Sequence, residues 1–478
     1  MTKPEINYLS SESLSCQDNP GASNDLLLQD GLSAASRLGG SKRFSWPVVV
    51  LTVLAGLLLA AHFSRHGEDG LAVASLLAPL LLLLRRPWAA QVLSFCLWGG
   101  AAVWLHTTWR LVAVRQALGE PWLRLVLILG AVALLTAAAA WRLGRSASRL
   151  SAAESPGRTA VSTGACLLAA GLLAAPHLVV QPPVLLAERF RPGWGWLEIF
   201  LLAAYAGWLA GRLHDPAGAA TWRRRLWLLF SGVFFLQLLL GLAGWTAFLM
   251  TGRLHLPVPA MIVGGPVFRG EGLFMPILFL AVVALAGPAW CSHLCYIGAW
   301  DAAAARQRPV PEPLPPWRRW LQLGSLAGVV LGAVLLRLGG ASATTAAWCG
   351  AAFGLGGLLV MAVFSRRRGA MVHCTAYCPM GLVAAWLGRL NPFRVRLGPS
   401  CTECGACRAA CRYDALDWKD IRRRRPGPSC TLCGDCLDRC RHGALAYHFP
   451  GLAPATARGV FLALVVALHT VFLGVGRI

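Results

Sequence analysis

The chain has 478 residues, 56% of them hydrophobic and only 14% charged, with a mean hydropathy of +0.57. These values exclude an ordinary soluble globular protein, and the long Leu-, Ala-, Val- and Trp-rich blocks read as membrane helices. The formal net charge of +23 does not point to nucleic acid. Nearly all the basic residues are arginines in short connections beside apolar blocks, where they set membrane orientation.

Residues 1–44 are rich in Ser, Asn, Asp and Gly without periodicity and read as a disordered cytoplasmic tail. No charged segment leads into a short apolar core with a cleavage site, so no signal peptide is expected. Apolar spans follow at about 45–63, 70–84, 88–106, 122–142, 160–180 and 196–213, a six-helix membrane region over 45–213 with no role assigned by its residues. A four-helix region over 220–390 has spans at about 226–250, 273–290, 320–337 and 344–364, and a C-terminal transmembrane helix covers 456–475. The fold expected is therefore an all-α polytopic membrane protein of about 11 transmembrane helices, with a small α+β module at 391–450. The Pro- and Gly-dense 251–272 connection is read as a plain loop in preference to a re-entrant one.

Lys42-Arg43, Arg85-Arg86, the four arginines from Arg142 to Arg158, Arg223-Arg224-Arg225, Arg318-Arg319 and Arg366-Arg367-Arg368 fall in every second connection. The positive-inside rule then places the N-terminus and the 391–450 module in the cytoplasm and the C-terminus in the periplasm of a bacterial inner membrane.

The module carries the strongest motif. Cys401, Cys404, Cys407 and Cys411 follow C-x2-C-x2-C-x3-C, and Cys430, Cys433, Cys436 and Cys440 repeat the run 29 positions later (430 minus 401). In the two-cluster bacterial pattern each run gives three thiolates to one cluster and its fourth to the other. This assigns Cys401, Cys404, Cys407 and Cys440 to one [4Fe–4S] cluster and Cys411, Cys430, Cys433 and Cys436 to a second. Zinc takes spaced pairs rather than such unbroken runs. Ligand thiols must stay reduced, which agrees with a cytoplasmic module. Arg408, Arg412, Arg439 and Arg441 flank the thiols, and positive charge beside a cluster favours its reduction. The Arg422–Arg425 run reads as a solvated or lipid-facing basic loop, with docking of an acidic electron carrier as the sharper alternative.

Cys291-x3-Cys295 and Cys374-x3-Cys378 sit where spans meet the cytoplasm. Their i,i+4 spacing places each pair on one helix face. At an offset of 83, Ser292 aligns with Thr375, Ile297 with Met380 and Gly298 with Gly381. This weak duplication suggests an axis along the membrane normal that gathers four thiols into a third site. Whether that site holds an iron–sulfur cluster, another metal or a redox dithiol is left open by the residues. His293 and His373 adjoin it as interfacial residues or ligands. His62, His106, His177 and His469 show no pairing that supports haem. Cys96, Cys166 and Cys349 read as small buried hydrophobes, and Cys16 lies in the polar tail.

Residues 220–450 resemble the NapH-type membrane polyferredoxins and the C-terminal part of NosR-type proteins. The resemblance rests on two membrane-edge C-x3-C motifs followed by a two-cluster segment. The family form is C-x3-C-P: Pro379 fits it, whereas Tyr296 stands after the first motif. The resemblance implies single-electron transfer between a cytoplasmic donor or the quinone pool and a partner reductase or cytochrome subunit. An electron-transfer component of an oxidoreductase system is expected rather than a stand-alone enzyme, since no acid–base pair or nucleophile constellation stands out. Two other readings remain: a maturation factor supplying electrons to a metal or disulfide site of a partner, and a redox-sensing or docking subunit.

Overall fold

A computed structural model describes residues 44–153, 155–181, 183–249 and 256–475. Cys16 and the tail, apart from Phe44, lie outside the described residues. Ten described helices are long and apolar enough to cross a membrane, and the chain is an α-helical polytopic membrane protein with a small α+β module.

The first half contains α1 (Trp46–Arg65), α2 (Asp69–Leu77), α3 (Pro87–Ala117), α4 (Leu123–Ala153), α5 (Pro156–Val179) and α6 (Gly195–His214). Proline stands in the first turn of α1, α3 and α5, where its missing N–H costs no helical hydrogen bond. The 70–84 stretch departs from expectation. It is α2 followed by a 3-10 segment, Ala78–Leu84, and is not among the ten long spans. Pro79 at the start of that segment cannot donate the next α-helical bond. The 3-10 winding also lengthens it: nine α residues and seven 3-10 residues rise about 27 Å, against a hydrocarbon core of about 30 Å. The segment runs back along α1, with Ser75 and Pro79 against Gly56.

The second half contains α7 (Pro216–Leu242), α8 (Met261–Arg269), α9 (Phe274–Ala286), α10 (Tyr296–Ala305), α11 (Arg318–Leu338) and α12 (Ala343–Val360). Asp215 caps α7 by accepting from the Ala217 N–H at 3.2 Å. The 251–272 connection is not the plain loop expected: α8 forms within it, packs on α11 and ends at Gly270 with φ +76°. Residues 251–255 lie outside the described residues.

Two cores result. Leu59, Leu93, Leu97, Trp104 and Leu143 close one between α1, α3 and α4. The larger runs from α5 and α6 through Trp227, Phe279 and Trp290 into the module at Leu432 and Tyr447. In the module, β1 (Arg394–Leu397) and β2 (Leu445–His448) pair antiparallel, Arg394 opposite His448.

The last helix joins these parts; it is numbered after the three short module helices α14 (Ala406–Ala410), α15 (Trp418–Arg422) and α16 (Asp435–Arg439), as α17 (Pro454–Val475). Phe461 of α17 is fully buried and stacks on Tyr447 of β2 at 4.8 Å. On its other side α17 packs on α5 and α6, with Tyr205 3.2 Å from His469 and Arg458 donating to the Leu213 and His214 carbonyls. A Cβ at Gly459 would come within 2.9 Å of Val161. Gly459→Leu should therefore overpack the α17–α5 contact and cost about 1–3 kcal/mol, read as a lower melting temperature in detergent. The neighbouring exposed position, Val460→Leu, should melt as the parent does.

Candidate metal centres

The cysteine repeat is also a backbone repeat. Glu403 and Leu432 share φ +56°, and Gly405 (φ +73°) and Gly434 (φ +81°) begin α14 and α16. Left-handed backbone suits glycine because it has no Cβ to clash. A Cβ at Gly434 would also lie 2.9 Å from the Tyr447 hydroxyl. Cys411 and Cys440 close the two helices in matching extended conformations, φ −81°, ψ 96° and φ −83°, ψ 99°. Each Sγ accepts a backbone N–H at 3.3 Å, from Ala415 and Ala444 respectively.

Cys411, Cys430, Cys433 and Cys436 line one cavity, together with Tyr413, Leu432 and Asp435. Cys401 and Cys404 lie within electrostatic reach of Cys407 on α14. Cys440 ends α16, which packs against α14. Cys407 and Cys436 are buried, Cys401, Cys411, Cys430, Cys433 and Cys440 half-buried, and Cys404 exposed. Burial pushes the Cys433 thiol up to about 12, with Asp435 adding to the effect, and raises Cys411 as well. Holding thiolates here requires a cationic group to offset their desolvation. Among the described residues, no three His, Cys, Asp or Glu side chains converge on the position of one metal ion. The four thiols around the shared cavity are of the donor type that iron–sulfur clusters take.

The two C-x3-C motifs adopt one shared form, which differs from the helix face expected. Trp290–Leu294 and His373–Tyr377 are π-helical turns. Cys295 and Cys378 leave them in extended conformation, their N–H groups donating to the Trp290 and His373 carbonyls at 3.0 and 2.7 Å. The wider π turn re-aims the second thiol where an α-helix would have continued. The Ile297 and Gly298 N–H groups then lie close to Cys295, and those of Met380 and Gly381 close to Cys378. A Cβ at Gly298 or Gly381 would run into the carbonyl of Cys291 or Cys374.

All four thiols line one cavity beside Trp290, Met380 and His373. Asp301, fully buried, accepts the Cys374 N–H at 2.9 Å. Gln322 of α11 donates to the carbonyls of Cys374 and Cys378 at 2.9 and 3.2 Å. His373 packs on Gly357 of α12, whereas His293 points elsewhere, 2.9 Å from the Ser292 hydroxyl and edge-on to Phe461. Cys166 is buried as expected, but Cys96 and Cys349 are exposed on outer helix faces.

Three side chains join this site to the module. Tyr413, two residues after Cys411, donates to the Cys291 carbonyl at 3.1 Å. Ser292 donates to the Thr431 carbonyl at 2.9 Å. Arg223 of α7 donates to both oxygens of Asp435, at 3.0 and 2.7 Å, and to the Ser292 carbonyl at 2.9 Å. Arg306 adds a second contact to Asp435 at 3.3 Å. Arg412 is a latch as well as a flanking charge, donating to the carbonyls of Arg308, Pro309 and Gly369 at 2.8, 2.6 and 2.7 Å. Arg422, Arg423 and Arg425 are exposed, while Arg424 bonds the Gly398 carbonyl. The sequence reading missed the linking roles of Arg223, Tyr413, Asp301, Gln322 and Asp435. Their only local signal was the placement of Asp435 inside a cysteine run and of Arg223 at a span end.

Residues 268–313 match the family described as 4Fe-4S binding domain. The match contains Cys291 and Cys295 and covers well under half of the chain. The chain matches no curated protein and no solved structure. It is thus a membrane protein carrying an iron–sulfur binding segment, with the matched residues at the membrane-edge motif.

The Arg223–Asp435 pair sits almost dry, its side chains 4% and 11% exposed. Arg223→Ala would leave Asp435 with only the half-exposed Arg306 and should cost about 3–5 kcal/mol. Limited proteolysis should then cut the module first, whereas Arg306→Ala should leave it resistant.

Proposed function

We propose that this chain is an iron–sulfur electron-transfer protein of the inner membrane, of the NapH and NosR C-terminal type. Cys401, Cys404, Cys407 and Cys440 would hold one [4Fe–4S] cluster, and Cys411, Cys430, Cys433 and Cys436 a second. Cys291, Cys295, Cys374 and Cys378 would hold a third thiolate-bound redox centre. When bound, such centres supply one-electron chemistry at iron held by thiolate.

The observation that carries this reading is the continuity of the thiol sets. One cavity holds four module thiols, a second holds the four membrane-edge thiols, and Tyr413 runs from beside Cys411 to the Cys291 carbonyl between them. The match of residues 268–313 to a 4Fe-4S binding domain favours iron–sulfur at the membrane-edge set. The chain's own part is to hold these groups rigidly. The π turns aim the paired thiols, backbone N–H groups stabilise them, and Arg223 offsets the negative charge of Asp435 between them.

For orientation we infer a cytoplasmic N-terminus and module, with the C-terminus periplasmic. Arg223, Arg306, Arg318 and Arg412 gather where the helices meet the module, which is the side the positive-inside rule keeps in the cytoplasm. The partner would be a reductase or cytochrome subunit, with electrons drawn from a cytoplasmic donor or the quinone pool.

Iron and sulfide analysis tests the number of centres. The anaerobically purified chain should carry clearly more than the about eight irons of two cubanes. Replacing Cys374 and Cys378 together by serine should remove the excess and leave the module's electron-paramagnetic signals in place. A parent with about eight irons would reduce the membrane-edge set to buried thiols.

A further inference from the structure

A further cavity, adjoining both thiol chambers, opens where α11 and α13 (Pro379–Leu387) meet the module. It touches Cys291 and Cys374 on one side and Cys430 on the other, so it lies between the membrane-edge set and the module. The functions derived above use its Cys291, Cys374, Cys430, Gln322 and Tyr413 but leave Arg319, Arg389 and the Thr431 hydroxyl without a role.

Its lining is cationic. Arg318, Arg319 and Arg389 all contribute to its wall. Arg318 is neutralised by Asp414 at 2.9 Å. Arg319 and Arg389 form no ion pair among the described residues, and both are exposed at the mouth. The charges of Arg318 and Arg389 both bear on Arg319, with Asp420 the one opposing influence. Asp420 is itself engaged in capping α15, accepting the Asp417 N–H at 3.1 Å. Two neighbouring guanidinium groups without an ion-pair partner repel each other, and an anion between them relieves this. Thr431 lines both this cavity and the neighbouring module chamber; it is 7% exposed and its hydroxyl has no hydrogen-bond partner. A buried hydroxyl left unpaired is costly, and a ligand oxygen would satisfy it. Trp386 and Leu382 supply an apolar flank.

We propose that this cavity binds a phosphate-type anion, clasped by Arg319 and Arg389, with the Thr431 hydroxyl as a further donor. Guanidinium forks match phosphate oxygens in pairs. Basic pockets between transmembrane helices at the membrane edge take lipid head groups by the same chemistry, so the phosphate is that of an anionic phospholipid or of free inorganic phosphate. The proposal stands on the arginines and Thr431, and it holds whether or not the thiol sets carry iron.

The test uses the full-length protein in two arms. In neutral detergent, inorganic phosphate is titrated by calorimetry. In lipid nanodiscs of phosphatidylcholine with a minor fraction of phosphatidylglycerol, lipid retained on the protein is identified by native mass spectrometry. Saturable phosphate binding in the first arm identifies a free-anion site. Selective retention of phosphatidylglycerol in the second, without phosphate binding, identifies a head-group site. In either case the double variant Arg319→Gln/Arg389→Gln should weaken binding by about tenfold or more, and Arg319→Lys/Arg389→Lys should restore part of it. Thr431→Val, which keeps the shape and both arginines, should weaken binding by a smaller factor and serves if the glutamine variant does not fold. Absence of binding in both arms, or variants that bind as the parent does, would overturn the proposal.

Discussion

The architecture turns on one buried charge pair. Asp435 sits inside the second cysteine run, where an unpaired carboxylate would be badly placed among thiols that burial already disfavours as anions. Arg223 resolves this from a membrane helix, and its Nη1 donates to the Ser292 carbonyl between Cys291 and His293. One guanidinium therefore ties a transmembrane helix, the first C-x3-C turn and the module loop together. Fork geometry allows this, since the planar group can serve three oxygens at once. Around it, Tyr413, Ser292 and Arg412 make further polar contacts between bundle and module. A cysteine-rich module that could have been merely tethered is instead continuous with the membrane core through Phe461 and Tyr447.

The thiol sets show two levels of internal repetition. The module repeats at 29 residues, down to the left-handed backbone at Glu403 and Leu432 and at Gly405 and Gly434. The membrane-edge motifs repeat at 83 residues as matching π turns. Around the second repeat the symmetry breaks: Asp301 and Gln322 both serve Cys374, so the two halves of that site are supported differently.

Much of this was legible in the sequence, for physical reasons that differ by feature. Apolar length alone located the long spans, because lipid demands unbroken hydrogen-bonded helix. The 70–84 stretch was harder, since hydropathy does not reveal that Pro79 converts its second half to 3-10 winding. Helix α8 was missed because prolines and glycines over 256–272 read as loop, although Pro266 is accommodated inside a short helix. The cysteine spacing disclosed both repeats, but i,i+4 arithmetic assumed an α-helix where the chain makes π turns. Arg223 and Asp435 are 212 residues apart, and no local pattern announces a contact at that separation.

Helix α17 has a consequence for biogenesis. It is the last described element to leave the ribosome, and it packs on both the module and helices α5 and α6. Domains acquire structure in the order of synthesis. The strand β2 and the Cys440 end of the module therefore emerge before Phe461 can seal against Tyr447. Docking of α17 is therefore the step that joins the module to helices α5 and α6, and it can occur only after both partners have been made.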